Sequence, residues 1–598
     1  MRPVSVLASA AISALGRGTR AAHVGEIGEE PPTAVRLEPA GALARIDDAW
    51  LDVGEGDRAE RLLSSAARDL GRRLDELAPD FRARRLFVCV GTSAGAMHSM
   101  QAAFASLEGA PQSLARRANY FAPLDGLFSS LGLSRASVKC VQPLGACSSS
   151  TLAIGLACRA LEAGDCDLAI AGGYDALSDF VISGFAALGA LSLRGPAPFR
   201  VERDGLALGE GAALIALVRA PEEARAPCIL GFGASADAVH ITAPDRDGRG
   251  LARAAERALL DAGIVAREVD LVSAHGTATP YNDSAESKAL AQLRSEQRAV
   301  VHPWKASIGH TLGAAGALEV LAAFDALTRG VLPGARGAGE KEPELAGELL
   351  ETNSAGAPRV ALKLSAAFGG LNAALVLGAA GLQSPGSALA FRPVELAALG
   401  ESVTTGEPEL VASLAPNARD LAARADSLSE LVLAAVARLV RSLGAPLPES
   451  CAVIVGTGVA TLEANERFDQ RRRADLPVLP RAFPPTSPNL CAGICSIAWG
   501  LRGPAFSVGA SLMGAGREAF DVAELLVAAG DAEAALVVLA EDAGPVVERL
   551  FRCAGEPVPS RRARAALLVP GVVGNGGSEP NRHRDSAARW AELAAAAP

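Results

Sequence analysis

Cys147 stands in Val141-Gln-Pro-Leu-Gly-Ala-Cys-Ser-Ser-Ser-Thr-Leu-Ala-Ile-Gly-Leu-Ala, an extended stretch that passes through small residues into a helical pattern. At a helix start the unpaired N–H groups and the positive end of the dipole favour a thiolate, and the hydroxyls of Ser148 to Thr151 are placed to cap the turn. Nucleophilic attack by sulfur is the chemistry this setting suits; a small buried cysteine is the structural alternative. The imidazoles are His23, His98, His240, His275, His302, His310 and His583, and the lysines are Lys139, Lys288, Lys305, Lys341 and Lys363, so that beyond residue 380 only His583 remains of either type. Histidine is the commonest general base near neutral pH, so acid–base chemistry is expected before residue 380. His275 follows the apolar run 269–274 and is expected at a strand terminus, where α/β enzymes expose working groups. His310 lies in Lys305-Ala-Ser-Ile-Gly-His-Thr-Leu-Gly-Ala-Ala-Gly, a glycine-rich turn opening a helix, a pattern that by itself equally suits close packing or an anion site. No tight carboxylate or cysteine spacing supports a zinc site, and Cys491-Ala-Gly-Ile-Cys495, lacking a second ligand pair, is expected in the core.

The elements that must position these residues follow from composition and patterning. The 598 residues are 49% hydrophobic and 21% charged, enough to bury extensive cores and too apolar for a disordered chain. With a net charge of -10 nothing resembles the basic stripe that binds nucleic acid, so no nucleic-acid partner is expected, and no apolar run reaches the roughly 20 residues of a membrane span. Runs at 85–90, 168–171, 212–218, 269–274, 360–364 and 373–377 alternate with Ala/Leu-rich helical stretches, which predicts a layered α/β fold. Residues 1–18 superficially resemble a secretion signal, but the pattern predicts a buried strand and a glycine turn, and ten scattered cysteines fit a reducing compartment, so a cytoplasmic protein is expected. The Gly/Ser/Pro-rich stretch 379–392 predicts a linker. Residues 573–598 are expected to form a flexible tail, with a short helix at 586–597.

An internal repeat spans that linker. Leu86-Phe-Val-Cys-Val-Gly-Thr-Ser is echoed by Cys451-Ala-Val-Ile-Val-Gly-Thr-Gly, and Leu161-Glu-Ala-Gly-Asp-Cys-Asp-Leu-Ala-Ile by Val527-Ala-Ala-Gly-Asp-Ala-Glu-Ala-Ala-Leu, in the same order and spacing. Gly209-Glu-Gly-Ala-Ala-Leu-Ile-Ala-Leu-Val has a counterpart in Arg562-Ala-Arg-Ala-Ala-Leu-Leu-Val-Pro, after which the copy stops.

Taken together, Cys147 in Ala-Cys-Ser-Ser, His275-Gly-Thr-Ala-Thr-Pro-Tyr-Asn-Asp, Lys305-Ala-Ser-Ile-Gly-His310, Phe368-Gly-Gly-Leu-Asn, Asp237-Ala-Val-His-Ile-Thr-Ala-Pro and Pro198-Phe-Arg-Val-Glu-Arg-Asp-Gly resemble the β-ketoacyl-[acyl carrier protein] synthases of the thiolase fold, type II most of all. The similarity covers residues 1–378. It implies a layered α-β-α-β-α synthase domain over 1–380, in two halves of about 1–220 and 226–380, a linker at 381–392, and a degenerate copy of the N-terminal half at 393–572. It also implies decarboxylative condensation without metal or organic cofactor. In that scheme Cys147 carries the acyl group, backbone N–H groups of Cys147 and Phe368 cradle the oxyanion, His275 and His310 hold the malonyl-derived enolate, Lys305 orients them with Glu319, and Phe368 gates the acyl pocket. The implied partners are an acyl carrier protein bearing acyl and malonyl groups and, as a homodimer or heterodimer, a second synthase-like subunit.

The chain departs from the family pattern in places. Ser365-Ala-Ala-Phe-Gly-Gly-Leu-Asn stands for the usual Ser-Phe-Gly-Phe-Gly-Gly-Thr-Asn, Arg200 for Asp, and Asp175 for Glu, with consequences expected for gate motion, ion pairing and any monovalent-cation site. In the copy, Met513 or Ser511 falls at the cysteine position, so a structural or pairing role is expected there. The alternatives are a non-catalytic subunit like the chain-length factors, which Cys147 argues against, and an enzyme that only decarboxylates malonyl thioester or transfers acyl groups.

Overall fold

A five-stranded motif occurs three times in the computed structural model, which describes all residues except 52–55, 107–108, 221–225, 294–298, 383–390, 418–420, 422–424, 510, 512–514 and 572–598. The first copy uses β1 (Val4–Ser13), β2 (Leu86–Gly91), β3 (Lys139–Leu144), β4 (Leu168–Asp175) and β5 (Gly211–Arg219) in the order β3-β2-β4-β5-β1. The second uses β6 (Cys228–Ala236), β7 (Leu271–Ser273), β8 (Val300–His302), β9 (Val360–Ala366) and β10 (Leu371–Gly378) in the order β8-β7-β9-β10-β6. The third uses β11 (Val394–Leu399), β12 (Ala452–Gly456), β13 (Ala505–Gly509), β14 (Ala535–Glu541) and β15 (Arg562–Pro570) in the order β13-β12-β14-β15-β11. In each copy the first two pairings are parallel and the last two antiparallel. Every strand run read from the sequence is present, because a continuous apolar run fits a strand buried on both faces.

Helices fill the layers. In the first region α1 (Arg58–Leu77) and α2 (Pro123–Leu131) cover the outer face of the first motif. On the opposite outer face, α5 (Arg249–Ala262) covers the second motif and is backed by α6 (Pro280–Leu293). Between the motifs lie α3 (Ser149–Ala163) and α7 (Ala315–Arg329), and α4 (Asp179–Ala187) follows β4. This is the α-β-α-β-α stacking expected of the first 380 residues. α3 is apolar nearly all round because sheet faces it on both sides, as a doubly covered helix requires. In the second region α8 (Ser427–Leu443) covers one face of the third motif and α10 (Ala515–Ala529) the other, while α9 (Leu490–Trp499) packs beside β13 and carries Cys491 and Cys495 into the core.

The two regions join edge to edge. β3 pairs antiparallel with β13, placing Leu144, Pro143 and Gln142 opposite Ser507, Val508 and Gly509. An edge strand left open would offer unpaired N–H and C=O groups to another chain; here the third motif occupies it. Arg159 on α3, buried, pairs with Asp531 of the second region at 2.7 Å and with Asp261 and Glu162 of the first at 2.9 and 3.3 Å. Tyr120 Oη lies 2.9 Å from Thr461 Oγ1 across the same junction. Part of the expected linker, residues 383–390, and the whole of the expected tail with its 586–597 helix lie outside the described residues. No described helix is long and apolar enough to cross a membrane.

Candidate functional site

β3 ends at Leu144, and the chain turns through a single 3₁₀ turn, Ala146–Ser148, before α3 begins. Ala146 takes a left-handed φ of 48°, a conformation rare for a residue with a side chain, and this brings Cys147 to the head of the helix. The turn is fastened by Ser149, whose Oγ accepts from the Gly145 N–H at 2.9 Å and donates to the Ala146 or Thr92 carbonyl at 2.7 and 3.0 Å. The hydroxyl thus ties the turn backwards, and Ser148, the residue before the helix, makes no side-chain cap. Two expectations change here. The thiol is not held as a thiolate: burial pushes it up to about 12, with the positive charge of Lys305 opposing. It is nevertheless within reach, being 8% exposed and lining a cavity.

His275 lies just past the C-terminal end of β7, with its backbone N–H and that of Gly276 donating to the two carboxylate oxygens of Glu286 on α6, at 2.6 and 2.8 Å. His310 is anchored by its backbone, its N–H donating to Ala207 and its carbonyl accepting from Gly209. The two rings stand edge to face, centroids 5.6 Å apart. Among the described residues, His310 has no hydrogen-bond partner on either ring nitrogen, nor has His275 on Nδ1. Burial, reinforced by the positive charges of Lys305 and Lys363, holds both imidazoles well below their usual range, so they are neutral at physiological pH. Lys305 donates to Glu319 at 2.7 Å, as expected for that pair, and Lys363 reaches the other carboxylate oxygen at 2.6 Å. Burial also lowers Lys363.

Cys147, His275, His310 and Phe368 line one cavity of about 280 Å³, together with Ala366, Ala367, Thr242, Asn282 and Tyr281. Cys147 and Phe368 also line a second cavity, of about 40 Å³, whose wall is shared between the regions: Met97, Phe180 and Phe185 from the first, Phe483, Pro484, Thr486 and Ser487 from the second. The Phe368 ring stacks on Phe185 at 5.9 Å, and Phe185 meets Phe483 edge-on at 5.3 Å. Among the described residues no cluster of His, Cys, Asp and Glu is arranged to hold a metal. The arrangement offers a thiol and two neutral imidazoles to one largely apolar cavity that opens to solvent. That is what forming a thioester and holding an enolate oxygen demand.

The family follows from comparison. The model of the β-ketoacyl synthase N-terminal domain matches residues 57–223 and again 403–556, and that of the β-ketoacyl synthase C-terminal domain matches 227–338. The chain belongs to the β-ketoacyl synthase family. This synthase-family chain is 36% identical over 255 residues to 3-oxoacyl-[acyl-carrier-protein] synthase 2 of Rhizobium meliloti (strain 1021), a stretch covering 39% of it and 59% of that relative. It therefore spans less than two thirds of that relative's length. Its fold matches the solved PfaC keto synthase-chain length factor with a TM-score of 0.76 at 17% identity, over 95% of this chain and 78% of that one. It matches the ishigamide ketosynthase/chain length factor with a TM-score of 0.55 at 30% identity, over 63% of this chain and 99% of that one.

The six residues read from the sequence are brought to one place: Cys147, His275, His310 and Phe368 on the cavity, Lys305 and Glu319 as a buried pair close to the imidazoles. Sequence reading missed Lys363, Glu286, Phe185 and Phe483. A signal existed for Lys363, a lysine inside the apolar run 360–364. Glu286, eleven residues after His275 on a helix, had none. Of the departures from the family pattern, Arg200 forms a two-pronged pair with Glu351 at 3.1 and 3.0 Å. Asp175 accepts from Thr92 Oγ1 and the N–H groups of Ser93, Ala94 and Gly313, and burial pushes it up to about 6. In the copy, Glu541 accepts from the same places, Thr457 Oγ1 and the N–H groups of Gly458 and Val459. Met513 lies outside the described residues.

Proposed function

We propose that this chain is a β-ketoacyl-[acyl carrier protein] synthase that performs decarboxylative condensation of an acyl group with a malonyl thioester in fatty-acid, polyene or polyketide assembly. Cys147 attacks a carrier-bound acyl thioester; the Cys147 sulfur–acyl bond forms, the carrier sulfur–acyl bond breaks, and the thiol proton leaves with the carrier thiol. The backbone N–H groups of Cys147 and Phe368 receive the charge on the acyl oxygen. Malonyl-carrier then loses carbon dioxide, and its enolate oxygen is held by hydrogen bonds from His275 and His310, whose neutral rings donate without adding a charge. The enolate carbon attacks the acyl group and expels the Cys147 thiolate, which takes one proton from solvent. Lys305 and Glu319 orient the imidazoles, and Phe368 separates the acyl cavity from the malonyl side.

The partner in this reading is an acyl carrier protein, in the cytoplasm. The synthase domain is residues 1–380, joined by 381–392 to a degenerate half at 393–572. That half serves in the manner of a chain length factor, as the built-in pairing partner and as part of the acyl cavity wall. Support comes from the β3–β13 pairing, from the four second-region residues on the smaller cavity, and from the ketosynthase/chain length factor likeness.

The single observation that carries the reading is that Cys147, His275 and His310 line the same cavity. Intact-mass spectrometry after incubation with hexanoyl-carrier thioester tests it. One hexanoyl group is expected on Cys147, followed, once malonyl-carrier is added, by carbon dioxide release and a β-ketoacyl-carrier product. A chain that stays at its unmodified mass sinks the enzymatic reading; carbon dioxide without the β-ketoacyl product leaves a decarboxylase.

A further inference from the structure

The turn that carries Phe368 is held from three directions. Within the turn, Ala367 N–H donates to Leu371 at 2.9 Å and Gly370 N–H to Ala367 at 3.0 Å. From the loop after β6, Ile241 accepts the Gly369 N–H at 2.8 Å. From the second region, the carboxamide of Asn489 donates through Nδ2 to the Phe368 carbonyl at 2.6 Å. Asn489 is buried at the residue before α9, and its Oδ1 accepts from Ser487 Oγ at 2.7 Å, which turns the amino side of the carboxamide toward the Phe368 turn.

The backbones are pressed together there. Gly369 has a φ of 81°, open to glycine, and a Cβ on it would sit 2.7 Å from Asn489 Nδ2. A Cβ on Gly493 of α9 would sit 2.4 Å from the Gly369 carbonyl oxygen. The first region's helix in the same place does nothing of the kind: before α2, the side chain of Asn119 is engaged by the N–H groups of Phe121 and Ala122 within its own turn. The asymmetry fits the sequence, since the copy stops before any counterpart of the Phe368 turn.

We propose that Asn489 is a positioning residue for acyl transfer, setting from the second region the backbone of Phe368 and with it the N–H that, on the function reading above, receives the acyl oxygen's charge. The Gly370–Ala367 bond holds the peptide that carries the Phe368 N–H, and Asn489 holds the next one through the Phe368 carbonyl. Removing the donor lets the turn relax, misaims the Phe368 N–H, and leaves the thiol and the imidazoles in place. The second half of this chain is then a working part of the acylation step in addition to being a pairing partner.

The test compares wild type with Asn489→Ala and Asn489→Asp in the full chain, using hexanoyl-N-acetylcysteamine thioester as acyl donor and iodoacetamide as a probe of the thiol. Asp keeps the size while replacing the donor with an acceptor, so it carries the test where Ala fails to fold. The maximal acylation rate is expected to fall about tenfold, less than the loss seen when an oxyanion donor is itself deleted, because Asn489 acts through the backbone. The donor concentration at half-maximal rate should stay nearly constant, and alkylation by iodoacetamide, which needs no oxyanion site, should remain within about twofold of wild type. Acylation at the wild-type rate in the variants overturns the inference, as does a fall in alkylation that parallels the fall in acylation. A wild-type chain that never gains the hexanoyl mass overturns the function reading, and this inference with it.

Discussion

α3 and α10 occupy the same place in two copies of one motif, each following the strand at the motif's edge and packing against its sheet, yet they are built differently. α3 reads Ser-Ser-Thr-Leu-Ala-Ile-Gly-Leu-Ala-Cys-Arg-Ala-Leu-Glu-Ala and is buried along nearly its whole length, with the second motif closing over it. α10 reads Ala-Gly-Arg-Glu-Ala-Phe-Asp-Val-Ala-Glu-Leu-Leu-Val-Ala-Ala. One stripe of it, Phe520, Val522, Ala523, Leu526 and Val527, goes into the core, while Arg517, Glu518, Asp521 and Glu524 line a groove of about 490 Å³ between the regions. Charged residues occur along the α10 edge where no second sheet covers it, since burying such a group unpaired is costly. That charged edge, Arg517 apart, is half-buried in the groove, where Asp521 meets Lys139 at 3.1 Å. The same comparison separates the roles: the first region builds the site, and the second supplies part of the smaller cavity's wall through Phe483 and holds the Phe368 turn through Asn489.

The comparison breaks most sharply at the nucleophile turn. Cys147→Ala should lower condensation by about a thousandfold or more and abolish the acyl mass, since the corresponding turn of the copy has no cysteine to substitute; product formation at an appreciable fraction of wild type would mean that the second turn reacts. At the two helices, a carboxylate placed at Ile154 of α3 should cost more than about 4 kcal/mol or prevent folding, through an unpaired buried charge. Urea unfolding followed by circular dichroism reads this, and a tolerated Ile154→Glu would show that α3 is not closed in on both sides.

The state of the thiol gives a slope. With Cys147 pushed up to about 12, its thiolate fraction rises about tenfold per pH unit from 7 to 9, so the logarithm of the iodoacetamide alkylation rate should climb linearly. Levelling off near 8.5, the ordinary cysteine value, would contradict a thiol governed by burial. The smallest effect is expected at the α10 edge. Asp521→Ala removes the 3.1 Å pair with Lys139, a partly exposed contact worth about 0.2–1 kcal/mol, and the same urea unfolding should place it there.

Much of this molecule was legible in its residues. The apolar runs became strands at or within a few residues of their expected places, Val360–Ala366 and Gly211–Arg219 among them, because a run flanked by glycine and polar residues has little else to form. The repeat announced the third motif, and His275, His310, Lys305 and Phe368 were recognisable from their local frames. Glu286 and Phe483 were not, since a carboxylate gripping two backbone amides and a phenylalanine facing another region look like any other Glu and Phe until the chain has folded.

By itself the sequence determined which groups exist, a thiol in a small-residue turn and imidazoles that, His583 apart, lie in the first 380 residues, and that one motif is repeated without its second half. Those facts depend on neighbours within a few positions along the chain. Only the tertiary structure decided that the thiol stays protonated, that two lysines share Glu319, and that Asn489 meets Phe368 across 121 residues of sequence. Desolvation and hydrogen-bond geometry are set by whatever surrounds a group in space, and in a sheet that runs through three motifs those neighbours come from every part of the chain.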